Sequence, residues 1–500
     1  MTGGLWAASR RPLTVGLAAT VTFVAAEALA VVTVMPLVAR DLDGLGLYGF
    51  VFSAFMLGTM VGIVAAGRVA DRRGPALPYV AGLILFGAGL TMAGLAPSML
   101  VLVAGRALQG LGAGAVPAIA YVAIGRSLPE HLRAQMMAVL STAWVVPGLA
   151  GPALSAEVAR TFGWRWVFLG LLPFISLTGP LAIPALRRLG RPATPTPGGH
   201  RLADGVMVAV GAGLILAGLT LAAGGQAAAA GAAPVQAGHG AAGGTAGTHG
   251  PWPVIAGGAL AAAGLAAGLP ALRRLLPPGT LRAVRGLPAT ILSRSLLTFT
   301  FFGADAFVTF TITIVRGRSP VLAGLAVTGA TLAWTAGAWV QARMNARWEA
   351  RRLVRIGLAV ILAGIGGLAV MLDGRVPVQT GIIAWTVAGF GMGLCYAPIS
   401  LLMLREAPAG REGWASASLN LADVLGSAMG IGLGGAAISA ASGLGWPVAG
   451  GVAVAFALAA LAGLAALAVS RRLPSSEPRS ARRRPVNPGG RSARSPPTSP

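Results

Sequence analysis

Apolar residues in this chain do not alternate with polar ones; they run in long blocks separated by short clusters of Arg, Gly, Pro and a few acids. Fourteen blocks stand out, at 13–38, 48–67, 77–96, 99–123, 134–157, 164–186, 204–224, 253–272, 288–314, 321–341, 353–372, 376–403, 413–440 and 446–470. Each is near the ~20 residues a helix needs to cross ~30 Å of hydrocarbon. A span in lipid must satisfy its own backbone, and without in–out alternation that means a helix rather than a barrel strand. The pattern predicts an all-α polytopic membrane protein with fourteen transmembrane helices.

Composition narrows the class. Of 500 residues, 55% are hydrophobic and 10% charged, against about 25% charged in a soluble domain. A mean hydropathy of +0.76 excludes a soluble enzyme and a disordered chain alike. The 74 glycines follow no Gly-X-Y period, so this is not collagen. Cys395 is the single cysteine, which excludes an internal disulfide and a Cys-based zinc site. The four histidines lack HExxH spacing; no metal or cofactor is expected. All 38 basic residues are Arg, which with so much Ala, Gly and Pro points to a GC-rich bacterial genome and the bacterial cytoplasmic membrane.

A net charge of +24 raises nucleic-acid binding as a class. The arginines, however, sit in loops and in the tail without interleaved aromatics, so no nucleic-acid partner is expected. Their distribution reads as topology. With the N-terminus inside, thirty arginines fall on the inner side and six outside, with Arg106 and Arg294 within spans. That bias predicts an even number of spans with both termini cytoplasmic. Arg10-Arg11, an apolar run and Ala28-Leu29-Ala30 imitate a secretory signal, but Glu27 interrupts the run and its length suits a first span, so no cleavage is expected.

Residues 225–251, rich in Ala and Gly with His239 and His249, read as a flexible external loop. Residues 471–500, rich in Pro, Ser and Arg, read as a disordered cytoplasmic tail. Attraction of Arg482, Arg483 and Arg484 to anionic lipid and an inert solubilising role both suit the tail.

The chain repeats itself. Phe23-x-x-Ala26-Glu27-Ala28 recurs 278 residues on as Phe301-x-x-Ala304-Asp305-Ala306, and Arg40 as Arg318. At the same offset Asp71 and Arg73 meet Glu349 and Arg351; at 279, Gly110-x-Gly112-x-Gly114 meets Gly389-x-Gly391-x-Gly393. The expected organisation is a six-helix half at 1–190, a linker and inserted pair at 191–287, a second six-helix half at 288–470, then the tail. Duplicated transporter halves place the substrate between them near the bilayer midplane.

Several motifs carry a family resemblance. Gly67-Arg68-Val69-Ala70-Asp71-Arg72-Arg73-Gly74, between the second and third segments, resembles the signature loop of the major facilitator superfamily, with Pro75 and Ala76 where the family has basic residues. Arg106-Ala107-Leu108-Gln109-Gly110-Leu111-Gly112-Ala113-Gly114 resembles its RxxQGxGxG element. Gly148, Gly151 and Pro152 are similar to the GxxGPxxG motif of exporters in the family, with Ser155-Ala156 at the final glycines. Glu27 and Pro36, nine apart, resemble the acidic residue and Pro of the drug:proton antiporters' first-span motif, Glu replacing Asp and Thr33 standing for Asn. With six plus two plus six segments, the chain resembles the fourteen-span drug:proton antiporters. The resemblance implies a major facilitator fold, export of small amphipathic or cationic compounds, and a conformational switch at Gly67–Gly74. It also implies that Arg106 assists proton transfer; a buried structural ion pair is the other reading of that residue. Gly430-Ile431-Gly432-Leu433-Gly434-Gly435 matches GxGxxG, but inside an apolar span it reads as helix packing.

Charges inside spans are the candidate chemistry. Glu27, Arg106, Arg294, Asp305 and Asp423 would together cost on the order of 10 kcal/mol unpaired. Glu27 and Asp305, at equivalent positions, are expected to face the central cavity, and an apolar cavity favours the protonated form of a carboxyl. Glu27, Asp305, Arg106 and Asp423 are the proton-coupling candidates, Glu27 first because it matches the family motif. Arg294 lies eleven residues before Asp305, about 16 Å along a helix, too far to bond it; snorkelling to the inner mouth is its plainest role. Trp144, Phe302, Trp334 and Trp385 are candidates to line an apolar pocket, with lipid or helix packing as the competing role of each. The expected partners are a small-molecule substrate, protons and the lipid bilayer, the chain acting as a monomer. Exporters of an endogenous metabolite or antibiotic, proton-coupled uptake porters and a sensor or scaffold remain as alternatives. A membrane enzyme is disfavoured because the short loops hold no catalytic constellation.

Overall fold

The computed structural model describes residues 5–8, 10–128, 145–190, 201–229, 252–344, 347–408 and 412–474, with isolated positions between 129 and 144. Every long element is a helix. The first half holds α1 (Arg11–Asp41), α2 (Tyr48–Arg73), α3 (Ala76–Gly94), α4 (Met99–Ser127), α5 (Val145–Phe162) and α6 (Arg165–Arg188). Next come α7 (Arg201–Ala229) and α8 (Trp252–Leu275). The second half holds α9 (Leu287–Phe310), α10 (Pro320–Met344), α11 (Ala350–Val370), α12 (Val378–Glu406), α13 (Glu412–Gly443) and α14 (Val448–Val469).

Thirteen described helices are long and apolar enough to span a bilayer. The fourteenth, α5, corresponds to a predicted segment whose start lies outside the described residues. Large apolar side chains stand exposed on the bundle's flank, Leu100 at 68% and Leu177 at 75% among them. In water such a surface would aggregate; against acyl chains it is the expected outer face.

Local chemistry sets the element ends. Ser98 caps α4, its Oγ accepting the Val101 N–H. Gly74 ends α2 with φ 85°, a conformation that suits glycine. α6 is not the continuous helix predicted: Pro173, Pro180 and Pro184 divide it into short helices and a 3-10 turn, because each lacks a backbone donor. α9 closes in a π turn at Thr311–Val315.

The two glycine triplets show the repeat at the level of packing. In α4, Gly110 and Gly114 lie against Phe55 and Thr59 of α2, while Gly112 lies against Gly82 and Phe86 of α3. In α12, Gly389 and Gly393 lie against Ala330 and Trp334 of α10, while Gly391 lies against Gly357 and Val360 of α11. Absent side chains let three backbones converge at each place. Gly430 to Gly435 likewise abuts neighbouring helices, Gly430 against Phe299, Gly434 against Phe307 and Gly435 against Gly49, as helix packing predicts.

The halves meet through α2 against α13 and through α5 against α10, which are equivalent contacts under the repeat. α7 breaks that symmetry by packing on both α2 and α13, with α8 behind it. Gly211 and Gly218 of α7 face Gly264 and Gly257 of α8. Asp204 pairs with Arg274 at 3.1 Å at one end of this inserted pair. Two predicted boundaries move. α7 runs to Ala229, five residues into the region read as a loop, and residues 230–251 lie outside the description. The start of the region read as a tail is packed: Leu473 O accepts from Arg351, and Arg472 donates to Arg282 O at 2.8 Å.

Candidate functional site

In the first half, α1, α2 and α4 bring Glu27, Arg106 and Gln109 together. Arg106 Nη1 pairs with Glu27 Oε1 and donates to Gln109 Oε1 at 2.7 Å. Its Nε donates to Val51 O at 3.4 Å, and its guanidinium lies 4.1 Å from the Phe55 ring centroid. Glu27 is 1% exposed and Arg106 2%. Glu27 therefore does not face an open cavity, as its sequence position implied, but is sealed against a cation.

The second half differs. Asp305, on α9, is partly exposed, and its Oδ1 accepts from the indole Nε1 of Trp385 on α12 at 2.8 Å. Among the described residues no cation pairs with it. Extending the repeat explains the contrast. The 279-residue offset that aligns the glycine triplets also places Trp385 at the position of Arg106. The two halves use equivalent positions of α4 and α12 to hold equivalent acids, one with a charged donor, the other with a neutral one.

Trp385 opens a run of aromatic rings. Phe301 stacks on it with centroids 4.9 Å apart. Phe301 also meets Phe302 at 5.4 Å and Trp334 at 5.6 Å, both edge-on. Trp334 in turn meets Tyr396 at 5.4 Å. Three predicted pocket residues, Phe302, Trp334 and Trp385, thus share one cluster, although Trp385 is fully buried. Trp144 lies outside the described residues.

At the far end of that run stands a second ion pair. Arg294 Nε lies 3.3 Å from Asp423 Oδ1, near enough to pair but not aligned as a hydrogen bond. Arg294 also donates to Tyr396 O at 3.1 Å and to Ser400 Oγ at 2.6 Å, and its guanidinium sits 3.5 Å over the Tyr396 ring. The Tyr396 hydroxyl donates to Asp423 Oδ2 at 3.2 Å. Arg294 is 3% exposed, so it does not snorkel; the rotation of α9 turns it towards α12 and α13 rather than to the membrane surface.

The exporter motif lies where the halves touch. Gly148 abuts Thr331 of α10, and Pro152 lies against Gly324 of α10. Gly67, Arg68, Arg72 and Arg73 belong to the last turns of α2, so only Gly74 and Pro75 turn the chain into α3. The charge cluster expected there rests on the Asp71 side chain, which lies outside the described residues. Hydrogen bonds between the halves gather at the end where α1 finishes and α2 starts. Tyr48 donates to Ala306 O at 2.9 Å, Thr309 to Val32 O at 2.7 Å, and Arg40 to Thr313 O at 3.1 Å.

Sequence reasoning named Phe301 and Gln109 only as members of motifs, and did not single out Tyr396 or the Arg294–Asp423 pairing. Carrying the glycine-triplet offset back to Arg106 would have flagged Trp385 as its counterpart. An isolated Tyr in an apolar span offers no such signal.

Twelve described helices in two repeat-related halves, an inserted pair, and charges buried where the helices converge define a polytopic membrane protein of the kind that transporters form. The sequence pattern of the Major Facilitator Superfamily matches residues 15–429, and the chain belongs to that superfamily. A probable multidrug-efflux transporter of Mycobacterium tuberculosis is 26% identical over 468 residues, covering 87% of this chain and 89% of its own length. A multidrug transporter protein of Bacillus subtilis is 32% identical over 166 residues, 33% of this chain and 31% of its own. Among solved structures, a D-xylose–proton symporter matches with a TM-score of 0.60 and 16% identity, over 93% of this chain and 98% of its own. A POT family transporter matches with a TM-score of 0.61 and 14% identity, over 91% and 97%. At these identities the structures speak for the fold.

Proposed function

We propose that the protein exports small hydrophobic organic cations from the cytoplasm in exchange for protons, with Asp305 as the exchanging carboxyl. The observation that carries this is the charge balance within the spans. Glu27 is matched by Arg106 and Asp423 by Arg294, whereas Asp305 is held by a neutral indole at the end of an aromatic run. One uncompensated carboxyl beside aromatic faces suits one positive charge, whether a proton or an organic cation.

In this reading the cation binds near Asp305 from the inner side, and a proton arriving from outside displaces it. Glu27 and Arg106 keep the first half rigid, so the sequence's preference for Glu27 as the exchange site gives way to Asp305. The multidrug names of the relatives and the exporter motif at the α5–α10 contact support the outward direction. With both termini cytoplasmic, the hydrogen-bonded end between the halves is the outer one. The pH gradient then drives the cycle: one proton in for one monovalent cation out moves no net charge, so the membrane potential does no work on it, and each unit of pH difference supplies ~1.4 kcal/mol.

Substrate-induced proton release from proteoliposomes tests the assignment. Asp305→Asn should abolish release while membrane expression stays intact. Release from Asp305→Asn equal to wild type would remove Asp305 from the mechanism. A susceptibility panel in an efflux-deficient host, with and without expression, separates drug export from export of an endogenous metabolite.

A further inference from the structure

The second ion pair has no counterpart in the first half. At the repeat offsets used above, Gly16 stands where Arg294 does and Pro117 where Tyr396 does. The Arg294 guanidinium lies 3.5 Å over the Tyr396 ring and 3.3 Å from the Asp423 carboxylate. A flat cation on an aromatic face with a carboxylate at its edge is the arrangement in which proteins bind organic cations. Here a side chain of the protein occupies it. The site is also continuous with the run of rings that ends at Asp305, through Trp334 and Phe301. The Asp423 side chain is 21% exposed, against 4% for Arg294.

We propose that Arg294 is a tethered cation that fills the second of two cation sites, at Tyr396 and Asp423, and so restricts the pocket to substrates carrying one positive charge. This rests on the reading of Asp305 as the first site. With Arg294 in place the aromatic run has one free carboxylate, Asp305. Without its charge, the run would have a carboxylate at each end. Arg294 and Asp305 lie eleven residues apart on α9, about 16 Å along the helix. The opened pocket would therefore select elongated dications.

Equilibrium binding to the full chain in lipid nanodiscs, by isothermal titration calorimetry at one pH, tests this. The probes are tetraphenylphosphonium, with one charge, and decamethonium, a bis-quaternary ammonium with a ten-carbon spacer. Arg294→Gln should raise the ratio of decamethonium to tetraphenylphosphonium affinity by roughly tenfold or more, the effect of one added net charge in a partly buried site. The double variant Arg294→Gln/Asp423→Asn should return the ratio to that of wild type. An unchanged ratio in Arg294→Gln, or a raised ratio that persists in the double variant, overturns the proposal.

Should Arg294→Gln fail to fold, Asp423→Asn provides the reciprocal test. It leaves the guanidinium unbalanced on the aromatic run, so tetraphenylphosphonium affinity should fall about tenfold; no change overturns the assignment. Wild type binding neither probe would sink the cation reading of the Asp305 pocket. The gain of decamethonium binding in Arg294→Gln, and its loss in the double variant, would still decide the role of Arg294.

Discussion

α1 and α9 carry the same Ala-acid-Ala triplet at equivalent positions, yet their acids meet opposite electrostatic surroundings. Glu27 faces Arg106 and is sealed; Asp305 faces the indole of Trp385 and is partly exposed. The proton exchange proposed for this protein needs at least one titratable group free to change its charge. It also needs a scaffold that does not change when that group does. Under the mechanism proposed above, the halves divide these tasks at one pair of positions. At 106 a guanidinium faces the acid as a charged partner, whereas at 385 an indole holds its acid with a neutral donor.

The sharpest way to break the comparison is to unbalance the sealed pair. Removing one partner of a buried ion pair leaves an uncompensated charge and costs about 3–5 kcal/mol. Arg106→Ala should therefore lower thermal stability in detergent and the yield of folded protein, along with transport. The uncharged double variant Glu27→Gln/Arg106→Met should recover most of the stability, because no charge is left stranded. Recovery of transport as well would show that the pair is structural only; stability without transport would give it a part in coupling.

Next in size is an exchange of roles. Trp385→Arg installs in the second half the donor that the first half uses. The new guanidinium should pair with Asp305 and compete with protons and cations for it. Substrate-induced proton release should then fall ~100-fold, the scale of losing a positioned proton-transfer group. Trp385→Phe is the milder change. It keeps the ring against Phe301 but deletes the N–H, whose hydrogen bond to a charged acceptor contributes about 1.5–3 kcal/mol. An intermediate loss of exchange, roughly tenfold, is expected. If Trp385→Arg exchanges protons as wild type does, the contrast between the halves carries no mechanism.

What the sequence revealed follows from what a membrane imposes. Hydrocarbon demands apolar blocks of near-constant length, so the helix count was legible, and duplication left offsets that align Glu27 with Asp305. Depth could be read, but azimuth could not. Arg294 sits at a depth that suits snorkelling, and only the rotation of α9 sends it to Asp423, 129 residues away. The Glu27–Arg106 pair, across 79 residues, was open to two readings for the same reason. Aromatic residues in apolar spans look alike on paper; Phe301 and Tyr396 gain meaning only from the rings beside them. The position of α7 between α2 and α13 was equally hidden, since its sequence shows only small and apolar residues.

The smallest expected effect concerns the hydrogen-bonded contact between the halves, which would serve as a gate in the proposed cycle. Tyr48 of α2 reaches across to the carbonyl of Ala306, the residue after Asp305, at 2.9 Å. Its ring packs among Phe52, Phe307 and Phe310, with centroids 4.8–5.8 Å away. The repeat provides no twin, because Ala326 stands at the equivalent position of α10. The gate bond is thus one-sided and falls on the helical turn that carries Asp305, the acid proposed to exchange. Tyr48→Phe keeps the ring packing and deletes one neutral hydrogen bond, a net change of about 1 kcal/mol, or roughly fivefold in an equilibrium. Electron–electron distance measurements between spin labels in the 42–47 and 373–376 loops should show the open population rising by about that factor. An unaltered distribution would assign the closed gate to the rings alone. A rise larger than tenfold would show that the hydroxyl also restrains α9 at Asp305, in which case proton exchange should shift with it.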